Sequence, residues 1–135
     1  MSIRIVKQYS VFLANEPGAL KDFAHLFAQE NVTLLAVSSD VRFDAAVVRV
    51  AIEQKHEVGH ALTKAGFTNV KTDAICIDTP DRLGIARDIG AIMREHGLNI
   101  TSIYGAAAIG GQTRFIIVVS DIQKAIKALE DSGLF

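Results

Sequence analysis

Tyr9-Ser10-Val11-Phe12-Leu13-Ala14-Asn15-Glu16-Pro17-Gly18-Ala19-Leu20 is an apolar run stopped by a turn signal, and Ile75-Cys76-Ile77-Asp78-Thr79-Pro80-Asp81-Arg82-Leu83-Gly84-Ile85-Ala86 follows the same plan 66 residues later. Val11 falls on Ile77, Asn15 on Asp81 and Gly18 on Gly84. The register continues outward from the turns. Lys21-Asp22 falls on Arg87-Asp88, and Phe23, Leu26 and Phe27 on Ile89, Ile92 and Met93. Val32, Leu34 and Val37 fall on Leu98, Ile100 and Ile103. With one residue inserted, Ala61 to Phe67 matches Ala128 to Leu134. A self-similarity of this kind marks a repeat architecture, here two modules in tandem.

Each module gives the same element order. Tyr9 to Ala14 reads as a strand and Asn15-Glu16-Pro17-Gly18 as a turn into a helix. From Ala19 to Glu30, apolar Leu20, Phe23, Leu26 and Phe27 recur at helical spacing. Val32 to Ser38 and the β-branched stretch Ala45 to Glu53 are the next strands. His56 to Ala65 is a second helix closed by Gly66, and Phe67 to Thr72 a short strand. The second module repeats this with a strand to Thr79, a helix to His96, strands Leu98 to Ala106 and Thr113 to Ser120, and a helix from Asp121 to Ser132. The order βαββαβ with amphipathic helices predicts an α+β fold. It consists of two ferredoxin-like modules, residues 1–70 and 71–135, each an antiparallel sheet with its helices on one face.

The second module ends before its fourth strand, because Leu134 and Phe135 match Phe67 and Thr68. A continuous strand from Phe67 onward could not serve both outer edges of an eight-stranded sheet, which lie about 34 Å apart at ~4.8 Å per strand. The expectation is that residues 2–6, with Ile3-Arg4-Ile5-Val6, supply the missing strand, and that residues 67–72 stay near module two or serve a neighbouring subunit. The alternative is an exposed edge sealed by oligomerisation.

Composition limits what the modules can do. Half of the 135 residues are apolar, enough for a buried core, so intrinsic disorder is excluded. Fourteen basic against fifteen acidic residues give a net charge of −1, which makes nucleic acid an unexpected partner. No apolar stretch approaches the ~18 residues of a membrane span, and no signal peptide opens the chain, so a cytoplasmic location is expected. The single cysteine, Cys76, reads as a buried thiol.

The turns offer a site on physical grounds. A helix start presents free backbone N–H groups and a positive dipole end, so Asn15–Leu20 and Asp81–Ala86 are seats for a carboxylate. Gly18 and Gly84 let a ligand approach the backbone. Taken singly, Asn15 and Asp81 read first as helix caps and the glycines as turn formers. Other chemistry is weaker. His56 and His60 stand four apart on a predicted helix, but with no third ligand beside them they read as a solvated face, and no metal is expected. His25 and His96 read as helix-surface or helix-end residues. The glycine-rich stretch Gly105–Gly111 joins two strands without the lysine of a phosphate loop and reads as a hairpin tip. No nucleophile and base fall into a suggestive spacing, so no enzyme activity and no cofactor are expected.

The opening Tyr9–Leu20, with its Asn-x-Pro-Gly-x-Leu turn, resembles the start of an ACT domain. Asp81-Arg82-Leu83-Gly84 with Gly97-Leu98-Asn99-Ile100 resembles the same turn and the family's Gly-x-Asn-Ile approach to strand two. The resemblance covers essentially the whole chain as a tandem pair. It implies a regulatory module that binds a small ligand, most often an amino acid, between the first turn of one domain and the second strand of another. Carried over by position, that assigns one pocket to Asn15, Glu16, Pro17, Gly18, Ala19 and Leu20 with Asn99. The reciprocal pocket takes Asp81, Arg82, Leu83 and Gly84 with Thr33. An amide pair such as Asn15 and Asn99 can orient both a carboxylate and an ammonium, which favours the first pocket. Leu83 in place of the turn proline, and Thr33 in place of the strand-two asparagine, mark the second as different. The resemblance also implies a homo-oligomer, such as a dimer, and a metabolic enzyme as partner. The first module alone resembles the small subunit of acetohydroxyacid synthase, so a regulatory subunit of an amino-acid biosynthetic enzyme is the alternative.

Overall fold

The computed structural model of the chain describes residues 2–14, 16–42, 45–107 and 110–135. From the N-terminus, β1 (Ser2–Ala14), α1 (Ala19–Gln29), β2 (Ala36–Arg42), β3 (Ala45–Glu53) and α2 (Gly59–Lys64) form the first half. They are followed by β4 (Thr68–Pro80), α3 (Ile85–Glu95), β5 (Ile100–Ala107), β6 (Gln112–Val119) and α4 (Ile122–Asp131). Two compact units result. The N-terminal unit is Val6–Thr72, and the C-terminal unit is Asp73–Phe135 together with residues 2–5.

In the N-terminal unit the strand order is β2-β3-β1-β4. Alternation along β1 sends Tyr9, Val11 and Leu13 into the core. Antiparallel pairing sets them opposite Val50, Val48 and Ala46 of β3. Phe23, Leu26 and Phe27 of α1 and Leu62 of α2 close the core from the helix side. Edge-to-face contacts join Phe23 to Phe27 at 5.1 Å and to Phe67 at 5.9 Å. Full burial of such side chains stabilises the unit by about 1.5–3 kcal/mol each.

The C-terminal unit is built the same way, in the order β1-β4-β6-β5. Ile77 and Ile75 of β4 oppose Phe115 and Ile117 of β6. The helices add Ile85, Ile89, Ile92 and Met93 from α3, and Ala125, Ala128 and Leu129 from α4. The side chain of Ile3 packs against this core, and Arg4 pairs with Asp78 at 2.8 Å. Asp78 also receives the Arg114 guanidinium at 2.6 Å. Arg114 above all, with Arg4 adding, holds the Asp78 carboxyl below its usual range against the opposing effect of burial. β1 and β4 are 13 residues long and each contributes to both units.

The α+β fold with ferredoxin-like modules expected from the repeat is the fold observed. Several local expectations differ. Residues 67–72 belong to the N-terminal unit, because Phe67 meets Phe23 edge-to-face and Asn69 bonds Thr63 at 3.1 Å. Strand β2 starts at Ala36 rather than Val32. Asn31, with φ 57°, ends the first helix, and Val32 and Leu34 then plug the core without a partner strand. The second helix starts at Gly59 rather than His56. The preceding residues are held outside it, the His56 carbonyl by Lys7 Nζ at 2.5 Å and Glu57 Oε1 by the Tyr9 hydroxyl at 2.7 Å.

Candidate functional site

Both turns end in a glycine at φ 87° that opens the following helix, a left-handed conformation that side chains rarely adopt. At Gly84 a Cβ would also stand 2.8 Å from the Arg87 guanidinium. Neither glycine can cap its helix with a side chain. The start of α4, by contrast, is capped by Asp121, whose carboxylate accepts from the Lys124 N–H at 3.1 Å. In the first turn the Glu16 N–H bonds the Ala14 carbonyl at 3.0 Å and the Asp22 N–H bonds Gly18 at 3.0 Å. Asn15 lies outside the described residues.

Beneath the first turn is a cavity of ≈190 Å³. Buried Leu13, Ala46 and Val48 form its floor. Ala19 and Leu20 of α1 form one wall, and exposed Glu16 and Ser39 stand at its mouth. Glu16, Ala19 and Leu20, which the sequence places at a site, line this hollow. Leu13 and Ala14 of β1, Ser39 of β2 and Ala46 and Val48 of β3 line it too and are not among the residues the sequence points to. For Leu13 and Ala46 a signal exists in the repeat, since the second module carries threonine at both places.

The second turn is arranged differently. The Thr113 hydroxyl donates to Asp81 Oδ1 at 2.8 Å, and the Asp81 N–H bonds the Gly111 carbonyl at 2.7 Å. Asp81 is therefore tied to its own sheet and does not cap α3. Arg82 pairs with Asp88 at 2.6 Å and lies 5.4 Å over the Phe135 ring. Its hydrogen bond, with its charge adding, holds the Asp88 carboxyl below the ordinary range. Leu83, in the position of the turn proline, is 98% exposed. Thr33 is exposed in the segment before β2, outside any strand. Asn99 is also exposed and immediately precedes β5, with its N–H on the Ser120 hydroxyl at 3.3 Å. Pro17 is exposed in the first turn.

Elsewhere, His96 closes α3, its Nδ1 3.0 Å from the Ile92 carbonyl, and Cys76 is a buried free thiol. His56 precedes α2 and His60 is exposed on it. Among the described residues, no three histidine, cysteine or acidic side chains gather as a metal site would require. Among them too, no helix is long and apolar enough to cross a membrane.

Two ferredoxin-like units, each with a glycine turn between a long strand and the helix that follows it, define a tandem ferredoxin-like fold class. The family model described as an ACT domain pair matches residues 4–134, and the chain belongs to that family. Solved structures agree in fold. A protein from Bacteroides thetaiotaomicron is 24% identical with a TM-score of 0.84, over 97% of this chain and 90% of that one. The ligand-free regulatory subunit of aspartate kinase from Thermus thermophilus is 10% identical with a TM-score of 0.69, over 96% and 94%. The corresponding subunit from Thermus flavus is 11% identical with a TM-score of 0.62, over 97% and 96%. Comparison with curated proteins finds no match.

Proposed function

We propose that the chain is a non-catalytic regulatory protein that binds a small molecule, an amino acid, through the glycine turn of its N-terminal unit. The observation that carries this reading is the cavity of ≈190 Å³ directly under that turn. Backbone N–H groups at the start of α1 offer a seat for a carboxylate, and the hollow offers space for a side chain. Membership of the ACT domain pair family supports the same reading. Asn15 is the polar side chain of that turn proposed to orient the ligand, as the family motif implies. A thermal-shift screen of the protein against the amino acids tests the proposal, because a ligand that binds only the folded state stabilises it by about 2.7 kcal/mol at a hundred times Kd. A rise in Tm with at least one amino acid is expected, and its loss in Asn15→Ala identifies the orienting amide. No shift with any amino acid contradicts it.

A second reading is favoured by the relatives themselves, two of which are regulatory subunits of aspartate kinase. In this reading the chain is the regulatory subunit of an amino-acid biosynthetic enzyme, acetohydroxyacid synthase being the one its first module resembles. Co-purification with a large catalytic subunit supports it, and a self-contained homo-oligomer that binds the amino acid alone supports the first.

A further inference from the structure

The outer side of α3 carries a glycine that the fold does not explain. Gly90 stands in the middle of that helix, where glycine is the least favourable residue after proline. A Cβ built there would meet nothing within 4 Å, and the first repeat carries Ala24 at the same place. With Ala91 beside it, Gly90 forms the floor of an open hollow of ≈590 Å³. Arg87 and Arg94 flank the floor, and Glu95 lies at the Arg94 end. Arg87 is 80% exposed and pairs loosely with Asp88, at 3.4 Å, while the short bond to that carboxylate, 2.6 Å, comes from Arg82. Arg94 is exposed and forms no ion pair among the described residues. Just before the helix, Leu83 stands almost wholly in solvent.

We infer that this face of α3 docks an acidic amphipathic helix of a partner protein, with an apolar side chain over Gly90 and Ala91 and carboxylates against Arg87 and Arg94. The inference concerns the C-terminal unit and stands independently of the ligand reading above. Charge decides the occupant. Arg87 and Arg94 are two helical turns apart, about 10 Å along the axis, with the same sign at each end. A second copy of α3 fits badly. An antiparallel pair centred on Gly90 and Ala91 sets each Arg87 against Arg94 of the other copy, and a parallel pair sets each arginine against its own counterpart. Either arrangement repels. Carboxylates at the same spacing on a foreign helix meet the guanidiniums instead, in the paired geometry that arginine favours. The missing Cβ at Gly90 lets the two helix axes approach closely. The first repeat lacks the arrangement, because Lys21, His25 and Ala28 take the places of Arg87, Ala91 and Arg94. A face one short helix long buries far less than the ~1,600 Å² of a standard stable complex. A transient contact of micromolar or weaker affinity is therefore expected.

Fluorescence anisotropy with a labelled, stapled helical peptide tests the inference. On one face the peptide carries two glutamates seven residues apart with two leucines between them, and a control peptide has lysines for the glutamates. The glutamate peptide is expected to bind the full chain with a Kd below about 1 mM, at least tenfold tighter than the control. Gly90→Leu fills the floor at a position open to a side chain. It is expected to weaken binding at least tenfold, with the urea midpoint of unfolding unchanged or raised. Arg87→Glu combined with Arg94→Glu is expected to reverse the preference, so that the lysine peptide binds the tighter. No binding of the glutamate peptide at about 1 mM, equal binding of the two peptides, or an affinity untouched by Gly90→Leu and by the double reversal overturns the inference. Tighter binding of a short DNA duplex at the same arginines also overturns it, in favour of a phosphate-binding face.

Discussion

The hydroxyl of Tyr9 lies inside the N-terminal unit, donating to Glu57 Oε1 at 2.7 Å and accepting from the Val58 N–H at 3.4 Å. Burial first, and then the Glu57 hydrogen bond, push the Tyr9 phenol up to about 12. The same bond, followed by that from the Gly59 N–H, pulls Glu57 from 4.5 down to about 2. The signs fix two pH windows. A carboxyl depressed in the folded state stabilises it above the unfolded value, so this contribution is lost as pH falls from 4.5 towards 2. A phenol raised in the folded state contributes below its unfolded value, and that is lost as pH rises from 10 to about 12. Tyr9→Phe is expected to cost about 1–2 kcal/mol at neutral pH and to flatten the acid-side decline. Urea midpoints between pH 6 and 3 measure both, and an acid profile as steep as that of the wild type would contradict the assignment. Tyr9 was legible as a strand residue in an apolar run. Its partner 48 residues away was not, because strand periodicity specifies which face a side chain takes and carries no record of a distant loop.

At the scale of elements, the two long strands β1 and β4 set the arrangement. Residues 2–5 sit with Asp73–Phe135, tied by Ile3 in the core and Arg4 on Asp78. Deleting residues 2–5 is expected to destabilise the C-terminal unit, lowering Tm by several degrees through lost burial and an arginine pair reduced to one. An unchanged Tm would show that this segment does no structural work. β5 gives a second prediction. Gly105 lies opposite Phe115, and a Cβ there would come within 2.8 Å of both the Arg114 carbonyl oxygen and the Phe115 ring. Gly105→Ala is expected to cost about 1–3 kcal/mol by overpacking, measured by chemical denaturation. The glycine-rich stretch reads from the sequence as a hairpin tip, yet Gly105 is needed within β5 itself. Residues 108–109 lie outside the described residues. The 66-residue repeat made the element order legible because core positions recur at strand and helix periods in both halves. The late start of β2 was not legible, since Val32 and Leu34 satisfy an apolar pattern whether or not a strand pairs with them.

At the scale of the whole molecule, the chain is one family's domain pair built from two related but chemically unequal units. The turn positions were legible because glycine at φ 87° is required twice at the same spacing. The cavity was not, because its floor comes from β1 and β3, brought together only by the register Leu13 to Ala46. β2 and β5 each have a neighbour on one side only, and such edges promote association. Sedimentation velocity is therefore expected to show a dimer or larger oligomer, and a monomer at all concentrations would contradict that expectation. The central claim is that the glycine turn of the N-terminal unit, with the cavity beneath it, holds an amino acid. Titration calorimetry with the amino acid giving the largest thermal shift tests it most directly. Binding weakened at least tenfold by both Ala46→Leu, which fills the cavity floor, and Ser39→Phe, which crowds its mouth, is the result predicted. An affinity unchanged in both variants would contradict it.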